Sequence, residues 1–162
     1  MKSFYRMIPF FFFLVTSFTA FAGEPIPAGC TASRNFSADA YKVWISKETK
    51  QTASEEASQS ANIPVNKKIE LQLHAKQGEF KGFVNFEIPE AGPYVIVTDA
   101  YPHMDITELT TNESLNPTDF GKIRDCGTVS KALRFEFAKP GKFLLGFTSG
   151  QGPILNVLIW KL

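Results

Sequence analysis

Hydrophobic and polar residues alternate along much of the chain after Val65, which is the pattern of half-buried β-strands. In the run 69–75, Ile69, Leu71 and Leu73 share one face, and polar side chains occupy the other. Segments rich in Pro and Gly separate such runs and favour turns. The predicted strands are 41–45, 69–75, 83–88, 93–98, 104–110, 133–137, 142–148 and 154–160. They predict an all-β protein, an antiparallel β-sandwich of about eight strands of jelly-roll or immunoglobulin-like type.

The first 22 residues have the pattern of a secretory signal peptide. Lys2 and Arg6 precede the apolar run 7–15, and Ala-Phe-Ala at 20–22 provides a small-residue cleavage site. A retained membrane anchor is the alternative, but that apolar run is shorter than the roughly 20 residues needed to span a bilayer. We therefore predict cleavage after Ala22, a periplasmic or secreted location, and no membrane insertion afterwards.

The rest of the chain divides into two predicted parts. Residues 23–40 contain Pro, Gly and small residues and are expected to form an extended N-terminal arm, before a single β-sandwich domain at 41–162. Within that domain, 46–62 has no large apolar residue and is predicted to be a mobile polar loop. A second long polar connection covers 111–127. Loops on a rigid sheet often carry recognition, so these two segments are the candidate binding surface.

The charge balance argues against a nucleic-acid partner. The sequence has 17 Lys and Arg residues and 16 Asp and Glu residues, and loss of Lys2 and Arg6 with the leader would leave a net charge of −1. A nearly neutral domain without a basic patch has no electrostatic footprint for nucleic acid or for an anionic membrane.

Two cysteines, Cys30 and Cys126, remain after the predicted cleavage. In an oxidising compartment an isolated pair usually forms a disulfide. A disulfide between them would close the long loop from residue 30 to residue 126, which is worth about 4 to 5 kcal/mol of stability in the chain-entropy model. The alternative is lipid attachment at Cys30, since Ala28-Gly29-Cys30 looks like the end of a lipobox, although Pro27 stands where Leu is usual.

Residues 80–94 read F-x-G-x-V-x-F-x-I-x-x-x-G-x-Y, which resembles the opening of bacterial pre-peptidase C-terminal-type β-sandwich domains. Residues 67–162 as a whole are more similar to a family of small exported bacterial β-sandwich proteins without established function. Members tend to carry an early cysteine as well, which supports the Cys30–Cys126 pairing. The shared motifs are Gly92-Pro93-Tyr94, Met104-Asp105-Ile106, Asp125-Cys126-Gly127, and the segments 131–135, 140–144 and 154–160.

Some members of that family carry the label homogentisate 1,2-dioxygenase, an activity that the residues of this chain do not predict. A non-haem iron oxygenase needs two histidines and a carboxylate that converge on the metal. His74 and His103 are the only histidines in the sequence, and using both would leave none for proton transfer.

The best sequence candidate for metal chemistry is His103-Met104-Asp105, with His74 as a further donor. An imidazole beside a thioether is a plausible pair for copper, and a carboxylate could add an oxygen ligand. The simpler interpretation places Met104 in the core and both histidines on the surface.

No catalytic residue can be assigned from the sequence. It contains no G-x-S-x-G elbow, and Thr-Ser-Gly-Gln-Gly at 148–152 predicts a hairpin turn instead. We therefore predict a non-enzymatic binding or accessory protein with an unknown protein or small-molecule partner and no cofactor. A periplasmic copper- or zinc-binding protein is the first alternative, and a small hydrolytic or redox enzyme is the second.

Overall fold

The computed structural model describes residues 25–31 and 33–162, so the predicted signal peptide and its cleavage site lie outside the described residues. Twelve strands occur in the described ranges. They are β1 (Thr49–Thr52), β2 (Asn62–Ile63), β3 (Lys68–Gln72), β4 (His74–Lys76), β5 (Glu79–Ile88), β6 (Gly92–Thr98), β7 (His103–Glu108), β8 (Ser114–Leu115), β9 (Asp119–Lys122), β10 (Lys131–Phe137), β11 (Gly141–Ser149) and β12 (Ile154–Lys161).

These strands form two six-stranded sheets that pack face to face. The first sheet has the order β1-β3-β12-β6-β10-β9; the second has the order β2-β5-β11-β7-β8, with β4 also paired to β5. The predicted all-β sandwich is confirmed. It is not antiparallel throughout, because the edge pairs β1–β3 and β2–β5 are parallel. The strand count exceeds eight because short polar strands, without an alternating signal, extend the edges. In addition, the single strand predicted at 69–75 is wrong: the chain passes from the first sheet to the second between β3 and β4.

The main core lies between the sheets and follows the alternation of the sequence. In β5, Val84, Phe86 and Ile88 are at most 1% exposed, and the residues between them face outward. Phe86 stacks on Phe143, and the Phe143 ring lies 4.7 Å from that of Phe137. Burial of these large apolar side chains is the main force holding the two sheets together.

A helical layer covers the outer face of the first sheet, where an extended arm and a strand were predicted. The arm at 23–40 contains helix α1 (Ala28–Thr31) and the start of helix α2 (Ala38–Trp44). The prediction of a strand at 41–45 is therefore wrong. Ser37 caps α2 by accepting a hydrogen bond from the Ala40 backbone N–H at 3.1 Å.

Burial on one side explains why the segment is helical. Ala40 and Trp44 are four residues apart and lie on the same side of α2, and Phe36 precedes the cap; all three side chains are at most 2% exposed. They pack against the outward-facing Val95 and Val97 of β6. Strand β6 is consequently buried on both faces, as its continuous apolar run predicts.

A disulfide joins Cys30 of α1 to Cys126 and fastens this layer to the sandwich. The predicted pairing is present, so the Cys30 sulfur is not available for lipid attachment. Gly29 has a packing role in the lipobox-like sequence, since a Cβ there would lie 2.0 Å from the Arg124 carbonyl oxygen. Only glycine allows the chain to approach this closely.

The polar segment 46–62 is more regular than a loop. It contains β1, a 3₁₀ turn (Ala57–Gln59) and β2, and it runs along the edges of both sheets. Ser54 exchanges two backbone hydrogen bonds with Phe83, and the Asn85 side chain donates to the Ser60 carbonyl at 2.9 Å. Backbone pairing, rather than apolar burial, holds this segment and covers the free edge of β5.

Candidate ligand cleft

The two histidines lie in one row on the outer face of the second sheet and do not meet. Strand pairing aligns His103 with Thr148, Thr148 with Lys81, and Lys81 with His74. Three strand spacings separate the ends of this row, or about 14 Å. A single metal ion therefore cannot be held by both imidazoles.

Met104 also points away from the other predicted ligands. It is 8% exposed and belongs to the core, whereas the side chains of His103 and Asp105 are each 73% exposed on the outer face. Successive residues of a strand face opposite sides of the sheet, so His103, Met104 and Asp105 cannot converge. Across the described ranges, no group of three or more His, Cys, Asp or Glu side chains is placed to hold a metal.

Each histidine instead has a local partner. His103 Nε2 lies 3.0 Å from Asp105 Oδ1. His74 Nε2 donates to the Ala53 carbonyl at 2.7 Å, and its Nδ1 lies 3.3 Å from a Glu55 carboxylate oxygen. These contacts tie His74 to the edge segment that contains Ala53, which gives His74 a structural role.

A cleft opens between the sheets at the edge formed by β7 and β8 on one side and β9 and β10 on the other. Its volume is about 290 Å³, close to the lower limit of small-molecule sites. Part of the predicted recognition segment 111–127 lines it, whereas 46–62 occupies the opposite edge of the sandwich. The lining residues are His103, Met104, Asp105, Ile106, Ser114, Leu115, Asn116, Pro117, Lys131 and Leu133.

The floor of the cleft is the edge of the main core, so its lining is apolar although little of it reaches solvent: Ile106 is 1% exposed and Leu133 is 5% exposed. Ile106 and Leu133 belong to that core, and Leu115 packs against it. The adjacent strands β8 and β9 hold only two and four residues, so they cover this side of the sandwich incompletely.

Lys131 places a cation beside this apolar floor. Its Nζ donates to the Pro102 carbonyl at 2.7 Å and lies 5.8 Å from the centre of the Phe120 ring. Within the described part of the chain it has no carboxylate within ion-pairing distance. Burial lowers the pKa of the Lys131 ammonium below its usual value, because desolvation disfavours the charged form.

The register of the strands accounts for the position of Lys131. It starts the inward-facing series Lys131, Leu133, Phe135, Phe137 of β10, so it takes the last core position at the open end. Its aliphatic stem can cover apolar surface while the ammonium stays near the opening. The sequence analysis did not predict Lys131 as a site residue. Its spacing of two from Leu133 could have indicated it, because it continues the alternation of the inward-facing apolar residues of β10.

Two exposed aromatic rings lie beside the lysines at this end of the first sheet. Phe120 is paired with Leu133 and is 52% exposed, while Tyr101 is 46% exposed. The ammonium of Lys122 lies 5.7 Å from the Tyr101 ring. Large exposed aromatics beside a cleft are more typical of binding surfaces than of ordinary protein surface.

Two wider hollows, of about 510 and 570 Å³, are weaker candidates. The first lies over polar side chains of β1 and β3, and the second follows the chain around Pro64 and Pro89. Both are more open than the cleft, and neither enters the space between the sheets. Enclosure and convergent polar groups distinguish ligand sites better than volume alone.

Comparisons with known proteins give a fold likeness only. No family model matches the sequence, and no curated protein matches it significantly. The chain is similar to the pre-peptidase C-terminal domain of a collagenase from Bacillus anthracis, with 12% identity and a TM-score of 0.42, over 70% of this chain and 99% of that domain. That domain is of the type that residues 80–94 resemble, but so distant a likeness carries no argument about activity. Among the described residues, no helix has the length and apolarity that crossing a membrane requires.

Proposed function

We propose that this protein is a non-enzymatic binding module of the periplasm or the extracellular space, and that it holds a small ligand in the cleft beside β8 and β9. The observation that carries the proposal is the cleft at the edge of the core, which Lys131 lines and beside which the exposed Phe120 ring lies. An apolar lining beside a few directed polar groups is the usual construction of a small-molecule site.

Location outside the cytoplasm is part of the proposal. The leader pattern at 1–22 and the Cys30–Cys126 disulfide support it, since disulfides persist mainly in oxidising compartments. The resemblance of residues 67–162 to small exported bacterial proteins points to the same placement.

The local partners of the histidines favour binding over catalysis. His74 is held by Ala53 and Glu55, and His103 is held by Asp105. Neither imidazole is thereby paired with a nucleophile. The hydroxyl of Ser149 accepts a hydrogen bond from the Gln151 backbone N–H, as expected for a turn.

Chemical-shift mapping of the ¹⁵N-labelled mature protein against a collection of small organic fragments tests the proposal. We expect binding fragments to shift the backbone amides of 103–106, 114–116 and 131–133 together. Leu115→Trp adds bulk at the cleft and should abolish these shifts, whereas Leu109→Trp at an exposed position should leave them intact.

Both variants must first show the dispersed spectrum of a folded protein. Fragments that shift only amides far from the cleft, or cleft shifts that survive Leu115→Trp, would overturn the assignment of the site. The complete absence of cleft shifts across the collection would do the same.

A further inference from the structure

We propose that the ligand of this cleft is a small carboxylate with an apolar body, whose carboxylate pairs with the Lys131 ammonium. This inference rests on the proposed function and adds the chemical class of the ligand. Its basis is one cation beside an apolar floor in a cleft of about 290 Å³.

The hydrogen bonds of Lys131 leave room for an anion. A lysine ammonium has three N–H donors, and the Pro102 carbonyl accepts from one of them. The Phe120 ring provides a cation–π contact but no lone pair. In the described part of the chain no carboxylate compensates this partly desolvated charge, so a bound carboxylate would supply both the missing charge and the missing acceptor.

Two acidic groups on the neighbouring strands β7 and β9 already have other partners. Asp105 is paired with His103 on the outer face. Asp119 accepts hydrogen bonds from the Asn35 side chain and from the Phe120 backbone N–H. The protein therefore does not neutralise Lys131 from within the cleft.

A second lysine, Lys122, lies on the strand next to Lys131. Lys122 on β9 is directly opposite Lys131 on β10, so both side chains project on the same face of the first sheet. Like charges in directly opposed positions destabilise a sheet. An anion bound at this end of the strands would relieve that repulsion and favour the complex.

The floor determines the rest of the ligand. Ile106, Leu115 and Leu133 line the cleft with apolar side chains that carry no hydrogen-bond donor, so an alkyl or aryl body is favoured there. A hydrophilic anion such as inorganic phosphate would leave this surface uncovered. The small volume favours a short chain or a single ring over a long acyl chain.

Octanoate, octanol and octylamine are matched probes, because they share a chain length and differ in the charge of the head group. We expect octanoate to bind the wild-type cleft about tenfold more tightly than octanol, and octylamine to bind most weakly. Lys131→Gln should reduce octanoate affinity about tenfold and leave octanol affinity nearly unchanged.

Two further variants control for folding and for total charge. Lys131→Arg keeps the cation and should retain most of the octanoate affinity. Lys142→Gln removes a positive charge from the exposed outer face of β11 and should have no effect. Titration calorimetry gives the affinities, and the amide shifts of 103–106 and 131–133 locate the bound probe.

The outcomes separate this inference from the proposed function. Equal affinity for octanoate and octanol, or an octanoate affinity that survives Lys131→Gln, would overturn the carboxylate assignment even though the cleft binds. Binding of other fragments in the cleft with no octanoate binding would also overturn it and leave the proposed function standing. Tight binding of inorganic phosphate at Lys131 would replace the apolar carboxylate with a hydrophilic anion.

Discussion

Replacing Trp44 with alanine tests whether the N-terminal helical layer is part of the cooperative fold. The Trp44 side chain is 1% exposed and packs in the second core, over the outer face of the first sheet. Truncation of a fully buried tryptophan costs about 3 to 5 kcal/mol through lost apolar burial and the cavity that remains. We expect Trp44→Ala to lower the free energy of unfolding by that amount.

The polar contact of this side chain contributes a smaller part. Trp44 Nε1 donates to the Thr128 hydroxyl at 3.0 Å, a hydrogen bond worth about 1 kcal/mol. Thr128 is exposed, so its hydroxyl can bind water after the substitution. Trp44→Phe should therefore cost less than Trp44→Ala, since it keeps most of the apolar area and loses this bond.

Urea unfolding followed by far-ultraviolet circular dichroism measures these differences with the disulfide intact. The loss should lower the thermal midpoint by about 10 to 20 °C for a domain of this size. Ile45→Ala is the matched control, because the neighbouring Ile45 is 58% exposed, and it should change the free energy by less than about 0.5 kcal/mol. Equal effects at the two positions would refute the helical placement of this segment.

Four further predictions follow from other parts of the molecule. Removing the disulfide with Cys30→Ser and Cys126→Ser should cost about 2 to 5 kcal/mol in urea unfolding, and an unchanged midpoint would contradict its role in fastening the N-terminal layer. Gly29→Ala should lower the thermal midpoint because its Cβ would overlap the Arg124 carbonyl, whereas Gly150→Ala, with open space around it, should not. A hydrogen bond from Lys161 lowers the pKa of Glu90 below 4.5, so the stability that this exposed pair contributes is present above that pH and is lost as the pH falls below it. The difference in unfolding free energy between wild type and Glu90→Gln should accordingly shrink on acidification. A difference that grows as the pH falls would contradict the stabilising role of this pair. Titration with Cu(I), Cu(II) or Zn(II) should give no site tighter than about micromolar, because His74 and His103 stand about 14 Å apart; a tight site lost in His103→Ala would show that the imidazole recruits other donors.

Only part of the candidate site could be predicted from the sequence. Leu115 and Pro117 of the segment 111–127 line the cleft, whereas the segment 46–62 lies on the other edge, and the recognition role of both segments stays a prediction. The predicted metal ligands were neighbours in sequence, but strand geometry sends Met104 inward and His103 outward. Lys131 was overlooked because a lysine within a strand is normally interpreted as a solvated residue.

The hydrophobic pattern along the chain was sufficient to predict six of the eight proposed strands, and the continuous apolar run of β6 predicted its burial on both faces. The proposed strand 69–75 is instead divided between β3 of the first sheet and β4 of the second. The hydrophobic pattern is local information, because successive side chains of one strand point to opposite faces of the sheet. Where one face meets the core and the other meets solvent, apolar and polar residues alternate with a period of two. The cysteine pair was also predictable, since two cysteines in a chain that is predicted to be exported have few alternatives.

Tertiary contacts decided what this local signal could not. Helix α2 has only seven residues, too few for stability in water, and its β-branched and aromatic residues favour a strand until Phe36, Ala40 and Trp44 meet the outer face of β6. Strands β1 and β2 carry no hydrophobic pattern, because backbone hydrogen bonds from distant strands hold them. The cleft lies where the short strands β8 and β9 end the two sheets, and its position depends on strand order and register, which no single strand encodes.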